Sequence, residues 1–317
     1  EVGQGQAAPV MTGGTIPAGA DCVVPVEWTT QENETLLLEI TPKKGSHIRY
    51  QGEIGKAGRS VVPEGTVLFS PDLTAAAGCG AAQVEVRPQP CLSLLSTGDE
   101  VIGWQQKPEP HQVRDSNRFG AALQCAGFGA EVVAQKSLAD DPGILRAELE
   151  EALESSDLVF TIGGVSMGEK DYLPSLFHQL GVECWFHGVS MQPGKPVWFG
   201  KKDHTWVLGL PGNPVSAFVT LELFGRSLVA GMLGLRSVNF PPMLEARLGN
   251  SASARKRDRF LPAHLEFPEQ GGLQAWVQAE TGSGDWTSLA GASGLIFLPA
   301  GSDLVAGDAV KFIPFTR

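Results

Sequence analysis

Basic residues are scarce in this chain: 24 Lys and Arg stand against 35 Asp and Glu, a formal net charge of −11 at pH 7. General nucleic-acid binding needs a basic footprint, so that class is excluded. A local anion site is not excluded, because backbone N–H groups at helix starts bind phosphate whatever the global sign. Long-range steering opposes an anionic ligand, so such a pocket has to be locally positive or use a bound metal. Cysteine is thin as well. Cys22, Cys79, Cys91, Cys125 and Cys184 form no CxxC pair and no close framework, which predicts reduced, mostly buried thiols in a cytoplasmic protein. Cys184-Trp185-Phe186-His187 has ligand-like spacing but reads as a strand rather than a metal site. Long apolar runs are missing: the best candidate, residues 217–235, carries Glu222 and Arg226 and reads as a buried helix, not a membrane span. Walker A and GxGxxG strings are absent, which removes the P-loop and dinucleotide readings, and none of the six histidines has an obvious catalytic role, which disfavours a Ser-His-Asp hydrolase.

What is present is an ordinary globular composition, 42% apolar and 19% charged over 317 residues, enough for roughly two domains or more. Residues 1–45 show turns at Gly13-Gly14 and Pro17-Ala18-Gly19 and short strand signals at Val23-Val24 and Leu36-Leu37-Leu38. Residues 46–90 continue with strand and turn signals, including Val61-Val62-Pro63-Glu64-Gly65-Thr66, and a helix from Pro71 to Ala77. Strand and helix patterns then alternate over residues 91–236, the mark of a mostly parallel sheet. Strands are expected at 91–95, 130–135, 157–162 and 205–210. Helices are expected from Asn117 to Ala126 (closed by Gly127), after Asp140-Asp141-Pro142, over 172–180, and from Pro214 to about Leu233. Residues 237–317 switch to period-two segments, such as Leu244–Leu248 and Leu295–Leu298, broken by Gly and Pro, which predicts a terminal β-barrel-like domain.

Three strand-to-loop turns carry the chemistry. Leu92–Leu95 runs into Ser96-Thr97-Gly98-Asp99-Glu100, Leu158–Phe160 leads to Gly163-Gly164-Val165-Ser166, and Trp206–Leu208 leads to Pro211-Gly212-Asn213-Pro214-Val215-Ser216. In open α/β sheets, ligands bind where strand carboxyl ends meet helix starts, so these loops predict a pocket for a phosphorylated ligand. Glu100, Asp140 and Asp171 stand at strand or helix ends where each alone reads as a cap or helix-dipole charge. Together they predict an acidic rim that could hold Mg²⁺, an ion that keeps waters and bridges phosphates. Lys195, between Pro193-Gly194 and Pro196, is a candidate oxyanion ligand.

Several strings, in order, resemble the molybdopterin molybdenumtransferase family, the MoeA-type proteins that include the E domain of gephyrin. They are Met11-Thr12-Gly13-Gly14-Thr15-Ile16-Pro17-Ala18-Gly19-Ala20-Asp21, Ser96–Glu100, Arg114-Asp115-Ser116-Asn117, Gly163–Tyr172, Pro193-Gly194-Lys195-Pro196 and Leu210–Ala217. The resemblance implies an enzyme of molybdenum cofactor biosynthesis: a transferase that binds adenylylated molybdopterin and molybdate, releases AMP with a divalent cation, and joins molybdenum to the cofactor's own sulfurs. It implies a multidomain α/β fold whose central, mostly parallel domain (91–236) binds molybdopterin. Flanking it are a β-rich lid-like domain (1–45), a linking α+β segment (46–90) and the C-terminal β domain. Carried over by position, Thr97, Gly163, Gly164, Ser166, Pro196, Pro211, Gly212, Asn213, Pro214 and Ser216 hold the pterin nucleotide. Glu100, Asp140 and Asp171 form the Mg²⁺-linked catalytic site with Lys195, and Arg257, favoured over Arg259, meets molybdate. Thr12 is supplied by a second subunit of a homodimer; the molybdopterin adenylyltransferase is a further candidate partner.

Three departures from the family pattern stand out. Gln192 replaces the first lysine of the family's Lys-Pro-Gly-Lys-Pro turn. No Asp-Gly-Tyr-Ala-like segment precedes Glu1, so the chain is expected to lack the family's N-terminal region. Gly282-Ser283-Gly284-Asp285-Trp286 replaces a Gly-Asn-Gln-type loop, and no ligand is assigned there. The alternative reading is a non-catalytic member that binds cofactor or scaffolds a receptor.

Overall fold

The computed structural model describes residues 1–166, 171–235, 241–269, 272–278 and 281–315. Met167–Lys170 of the Gly163–Tyr172 string, and the 236/237 boundary with Asn239-Phe240, lie outside them. The chain forms two compact units, Glu1–Pro63 and Glu64–Arg317. In the first, strands β1 (Thr29–Glu32) and β2 (Thr35–Leu38) make an antiparallel hairpin that turns at Asn33 with φ 53°. Val23-Val24 is not a strand, contrary to its β-branched composition. Val23 N donates to Ser46 O, but no ladder extends from that bond. Residues 61–66 likewise contain no strand.

The second unit opens with helix α1 (Ser70–Gly78) and builds a six-stranded sheet. Its strands are β3 (Cys91–Thr97), β4 (Glu131–Leu138), β5 (Leu158–Ile162), β6 (Glu183–His187), β8 (Trp198–Lys202) and β9 (Thr205–Leu210). The spatial order is β4-β3-β5-β9-β8-β6; the first four are mutually parallel and β8 runs against both neighbours. Helices α2 (Ser116–Phe128), α3 (Pro142–Ser155), α4 (Leu173–Gln179) and α5 (Pro214–Met232) cover the sheet.

Residues of the central strands are buried on both faces, so they read as continuous apolar runs rather than alternating ones. Strand alternation still sorts the two cores. Leu95, Val159 and Val207 meet Leu145 and Leu149 of α3 and Leu173 and Phe177 of α4. On the other face, Leu94, Leu158, Phe160 and Leu208 meet Cys125 of α2 and Ala217, Leu221 and Val229 of α5.

Helix boundaries follow from caps. Asp115 caps α2 by accepting from Arg118 N at 3.0 Å, and the helix runs past Gly127 to stop at Gly129, whose φ is 99°. A left-handed residue closes the helix, and only Gly129 adopts that conformation. Asp141 caps α3, accepting from Gly143 N and Ile144 N at 2.9 Å each, with Pro142 in the first turn. Helix α5 has the length and composition of a membrane span, but 56% of it is buried against this core. Its middle turn, Leu221–Gly225, is a π-helix.

Five strands toward the C-terminus form a barrel: β10 (Leu244–Leu248), β11 (Asp258–Glu266), β12 (Gln274–Val277), β13 (Gly294–Leu298) and β14 (Ala309–Pro314). Their order is β12-β10-β14-β13-β11, closed by the β11–β12 pairing, which leaves no open edge within the ring. Leu248, Leu261, Ile296, Leu298 and Phe312 fill it. The two-residue strand β7 (Met191–Gln192), which falls in the chain between sheet strands, joins β11 instead, pairing Met191 with Asp258 and Gln192 with Arg259.

The thiols are free, but mostly buried they are not: only Cys125 is buried, while Cys79 and Cys184 are exposed. The strand at Cys184 is a sheet edge, where one face lacks a covering helix. Burial pushes the Cys125 thiol up to about 12. Reactivity follows the thiolate, so native-state alkylation at pH 8 should label Cys79 and leave Cys125 unmodified until denaturant is added. Mass spectrometry of digests checks this, and labelling of native Cys125 would contradict its packing.

Candidate active site

The carboxyl ends of β3, β5 and β9 open into one cleft of about 1440 Å³. The three loops fit against one another closely enough to demand glycine. Gly163 has φ 89°, and a Cβ there would stand 2.8 Å from Thr97 O, so any side chain would collide with the backbone of the neighbouring loop. Gly163 N donates to Leu210 O at 3.0 Å, which joins the second loop to the third. Asn117 Nδ2 donates to Gly212 O at 2.6 Å and anchors the third loop from α2. Helix α5 then begins at Pro214, so its first turn brings the buried Ser216 to the cleft lining and the positive end of the helix dipole with it; Val215 N and Ala217 N are already engaged by Ser283 O and Asn213 O.

The acidic rim is less uniform than its sequence positions suggest. Asp140 and Asp141 divide two tasks. Asp141 is the cap, which leaves the Asp140 carboxylate to accept a hydrogen bond from the Thr97 hydroxyl. Asp99 is a loop tie, accepting from Asp140 N at 3.0 Å. Asp171 stands one residue before Tyr172, the cap position of α4. Glu100, Asp140 and Asp171 all line the cleft. Among the described residues no group of three or more His, Cys, Asp or Glu is arranged to hold a metal ion, so the three carboxylates are separate donors rather than a preformed cage. Hard oxygen donors on an open rim suit Mg²⁺, which completes its shell with water and ligand phosphates.

The positive side comes from two different places in the chain. Lys195 stands exposed on the turn after β7, and β7 pairs with the start of β11, which carries Arg259, with Arg257 just before it. All three line the cleft. Arg259 is partly engaged, donating to Ser253 O at 2.8 Å; Arg257 is exposed. With Arg114 these cations offset the four carboxylates of the lining, so the cleft does not share the acidic excess behind the global −11.

Thr97, Gly164, Ser166, Pro196, Pro211, Asn213 and Pro214, all singled out in the sequence, line the same cleft. Thr12 belongs to the first compact unit, on an exposed turn. Residues without a prior role also appear: Arg114, Ser116, Asn117, Trp104, Ser283 and Trp286. The Arg114–Asn117 string carried a signal for them; the others carried none. Asp115 is buried and structural, accepting from Ser96 Oγ at 2.8 Å and from Arg118 Nε at 2.7 Å. His187, of the ligand-like Cys184–His187 run, lies 2.9 Å from Val165 O through Nε2, a satisfied histidine in a sheet strand.

Family comparisons agree along the whole chain. Residues 93–231 match the model of a probable molybdopterin binding domain, residues 1–80 that of the MoeA N-terminal region (domain I and II), and residues 245–315 that of the MoeA C-terminal region (domain IV). The molybdopterin molybdenumtransferase of a Nostoc species is 32% identical over 313 residues, covering 95% of this chain and 70% of that protein. This chain belongs to the molybdopterin molybdenumtransferase family. The Staphylococcus aureus (strain Mu50) relative is 32% identical over 314 residues, covering 98% of this chain and 74% of that protein. A crystal structure of the molybdopterin biosynthesis moea protein from Pyrococcus horikosii superposes with a TM-score of 0.78 at 29% identity, covering 100% of this chain and 78% of that one. The multidomain α/β architecture of this molybdenumtransferase-family chain is thus the fold of its relatives, and the three-loop cleft falls mostly within the segment matching the molybdopterin-binding model.

Proposed function

We propose that this chain inserts molybdenum into adenylylated molybdopterin with release of AMP, a step of molybdenum cofactor biosynthesis. The observation that carries the reading is the meeting of three glycine-bearing strand ends, the Glu100, Asp140 and Asp171 carboxylates, and the cations Lys195, Arg257 and Arg259 in one cleft, in a chain whose relatives are molybdopterin molybdenumtransferases. The Gly163-Gly164 loop and the start of α5 bind the phosphate portion of the substrate, with the Ser216 hydroxyl as donor, the Gly163 and Val215 N–H groups being spent on Leu210 O and Ser283 O. Thr97 fixes the orientation of Asp140 through its hydroxyl. Lys195 and Arg257 bind the molybdate oxyanion, Lys195 as a point charge and Arg257 through its planar fork. Pro196 keeps the Lys195 turn stiff.

Glu100, Asp140 and Asp171 would hold Mg²⁺, which supplies Lewis-acid polarisation at the phosphoanhydride when bound. The protein's own contribution is placement: the acidic rim and the cationic turn flank the same space, so a nucleotide phosphate and an oxyanion can be held together. The active species is a cytoplasmic homodimer in which Thr12 of a second copy reaches the ligand, and the molybdopterin adenylyltransferase delivers the substrate.

AMP release from adenylylated molybdopterin, measured with and without molybdate and Mg²⁺, tests the reading. Molybdate-dependent release is expected; tight binding with no release under any condition overturns the enzymatic assignment. Lys195→Ala should raise the molybdate concentration for half-maximal release by about 10–100-fold, the worth of a hydrogen bond to a charged group. Thermal stability should be unchanged, because the Lys195 side chain is exposed. Titration of molybdate against the variant decides it, and an unchanged midpoint would remove Lys195 from the oxyanion site.

A further inference from the structure

The wall segment to which the sequence assigned no ligand, residues 281–289, is firmly pinned. Asp285 Oδ2 accepts from Thr281 N at 3.0 Å and from the Thr281 hydroxyl at 3.2 Å; Oδ1 accepts from Thr287 N at 3.2 Å and from the Thr287 hydroxyl. Led by the Thr287 hydroxyl, then the Thr281 N–H, these bonds hold the Asp285 carboxyl below its ordinary value. The buried Ser288 donates to Asp285 O at 2.8 Å. Two further bonds moor the loop to α5: Asn213 Nδ2 donates to Ser283 Oγ at 2.9 Å, and Val215 N donates to Ser283 O at 3.1 Å.

This frame presents Trp286 to the cleft with its side chain 62% exposed. Tryptophan is highly buried on average, and an indole held open on a rigid loop is an apolar platform without a partner. The other cleft tryptophan, Trp104, already packs on Phe119 with ring centroids 5.8 Å apart. Among the described residues Trp286 has no such ring contact. The other apolar residues of the lining, such as Val101, Val113, Ile162, Val165 and Met191, are aliphatic or thioether side chains and offer no open aromatic face for a flat ring.

We infer that Trp286 is the stacking platform for the planar fused nitrogen ring of the bound nucleotide, an assignment that rests on the pterin-nucleotide reading of the cleft. Every such ring has a π-face, so a single indole binds it without needing a matched hydrogen-bond pattern. Because the loop is already ordered by Asp285 and Ser283, little ordering cost is left for binding to meet. The ligand class is a phosphorylated pterin or adenine, and the experiment separates the two.

Equilibrium binding of AMP, of a pterin carrying a phosphate ester, and of ribose 5-phosphate should be compared for the parent, Trp286→Ala and Trp286→Phe. At least one ring-bearing ligand should weaken by about tenfold or more in the alanine variant, the scale of one aromatic–base stack. It should be largely restored by phenylalanine, while ribose 5-phosphate is unaffected. The ring that responds names the stacked group. Unchanged binding of both ring ligands overturns the inference alone, and so does an equal loss for ribose 5-phosphate, which would show collapse of the loop. A parent that binds neither ring ligand nor molybdate overturns the pterin-nucleotide reading, and the inference with it.

Discussion

Asp171→Asn should lower molybdate-dependent AMP release by on the order of 100-fold to 1000-fold, the loss seen when one charge-stabilising group leaves a transition-state site. Folding should be untouched. Asparagine matches aspartate in shape and keeps an accepting oxygen in the same place. The comparison with Asp140→Asn is informative, because an asparagine carbonyl can still accept the hydrogen bond from the Thr97 hydroxyl that Asp140 accepts. Both variants keep the rim's geometry and remove one negative charge, so both should lose turnover more than substrate affinity. Single-turnover AMP release, with thermal melts run alongside, makes the measurement. Turnover within a few-fold of the parent would remove Asp171 from the chemistry, and a large fall in melting temperature would reassign it to the fold.

The second large effect concerns stability. Glu222 is 1% exposed in the π turn of α5. It accepts from Arg226 Nη1 at 2.9 Å and from Gln124 Nε2 at 3.3 Å, and Arg226 Nη1 also donates to Pro314 O at 3.0 Å. One buried carboxylate therefore ties α2 to α5 and, through Arg226, α5 to the last barrel strand. Removing one partner of such a pair strands the other charge, at a cost of about 3–5 kcal/mol. Glu222→Ala should lower the urea midpoint accordingly. Replacing both residues with methionine should recover most of the loss, because a well-packed apolar pair avoids the desolvation cost. A double variant as unstable as the two single losses combined would show that the polar bonds themselves, not the stranded charge, carry the energy.

Much of this architecture was legible because the signals were local. The all-apolar strand at 158–162, the Asp-Pro entry at 141–142 and the Pro-Gly-Asn-Pro turn at 211–214 each act within a few residues, and the structure follows them. Where a signal had competitors, the chain alone left it open or misplaced it. Two aspartates adjoin at 140 and 141, and only the folded chain shows that the second caps α3 and the first turns to Thr97. Gly127 and Gly129 both invite a helix stop; the one that takes a positive φ wins. Val23-Val24 has β-branched side chains but no ladder partner, and propensity without a partner makes no strand.

The sequence by itself determined the family, the alternation of strand and helix, and the three loops at the strand ends, because each is written in contiguous residues. Tertiary structure decided what those loops face. Lys195 shares the cleft with the arginines because β7 leaves the run of sheet strands and pairs Gln192 with Arg259 across 67 positions of chain, a long-range register with no local signature. Trp286 became part of the cleft the same way, through Ser283's bonds to Asn213 and Val215. Contacts between residues so far apart are chosen by packing and closure of the barrel, and no window of sequence contains them.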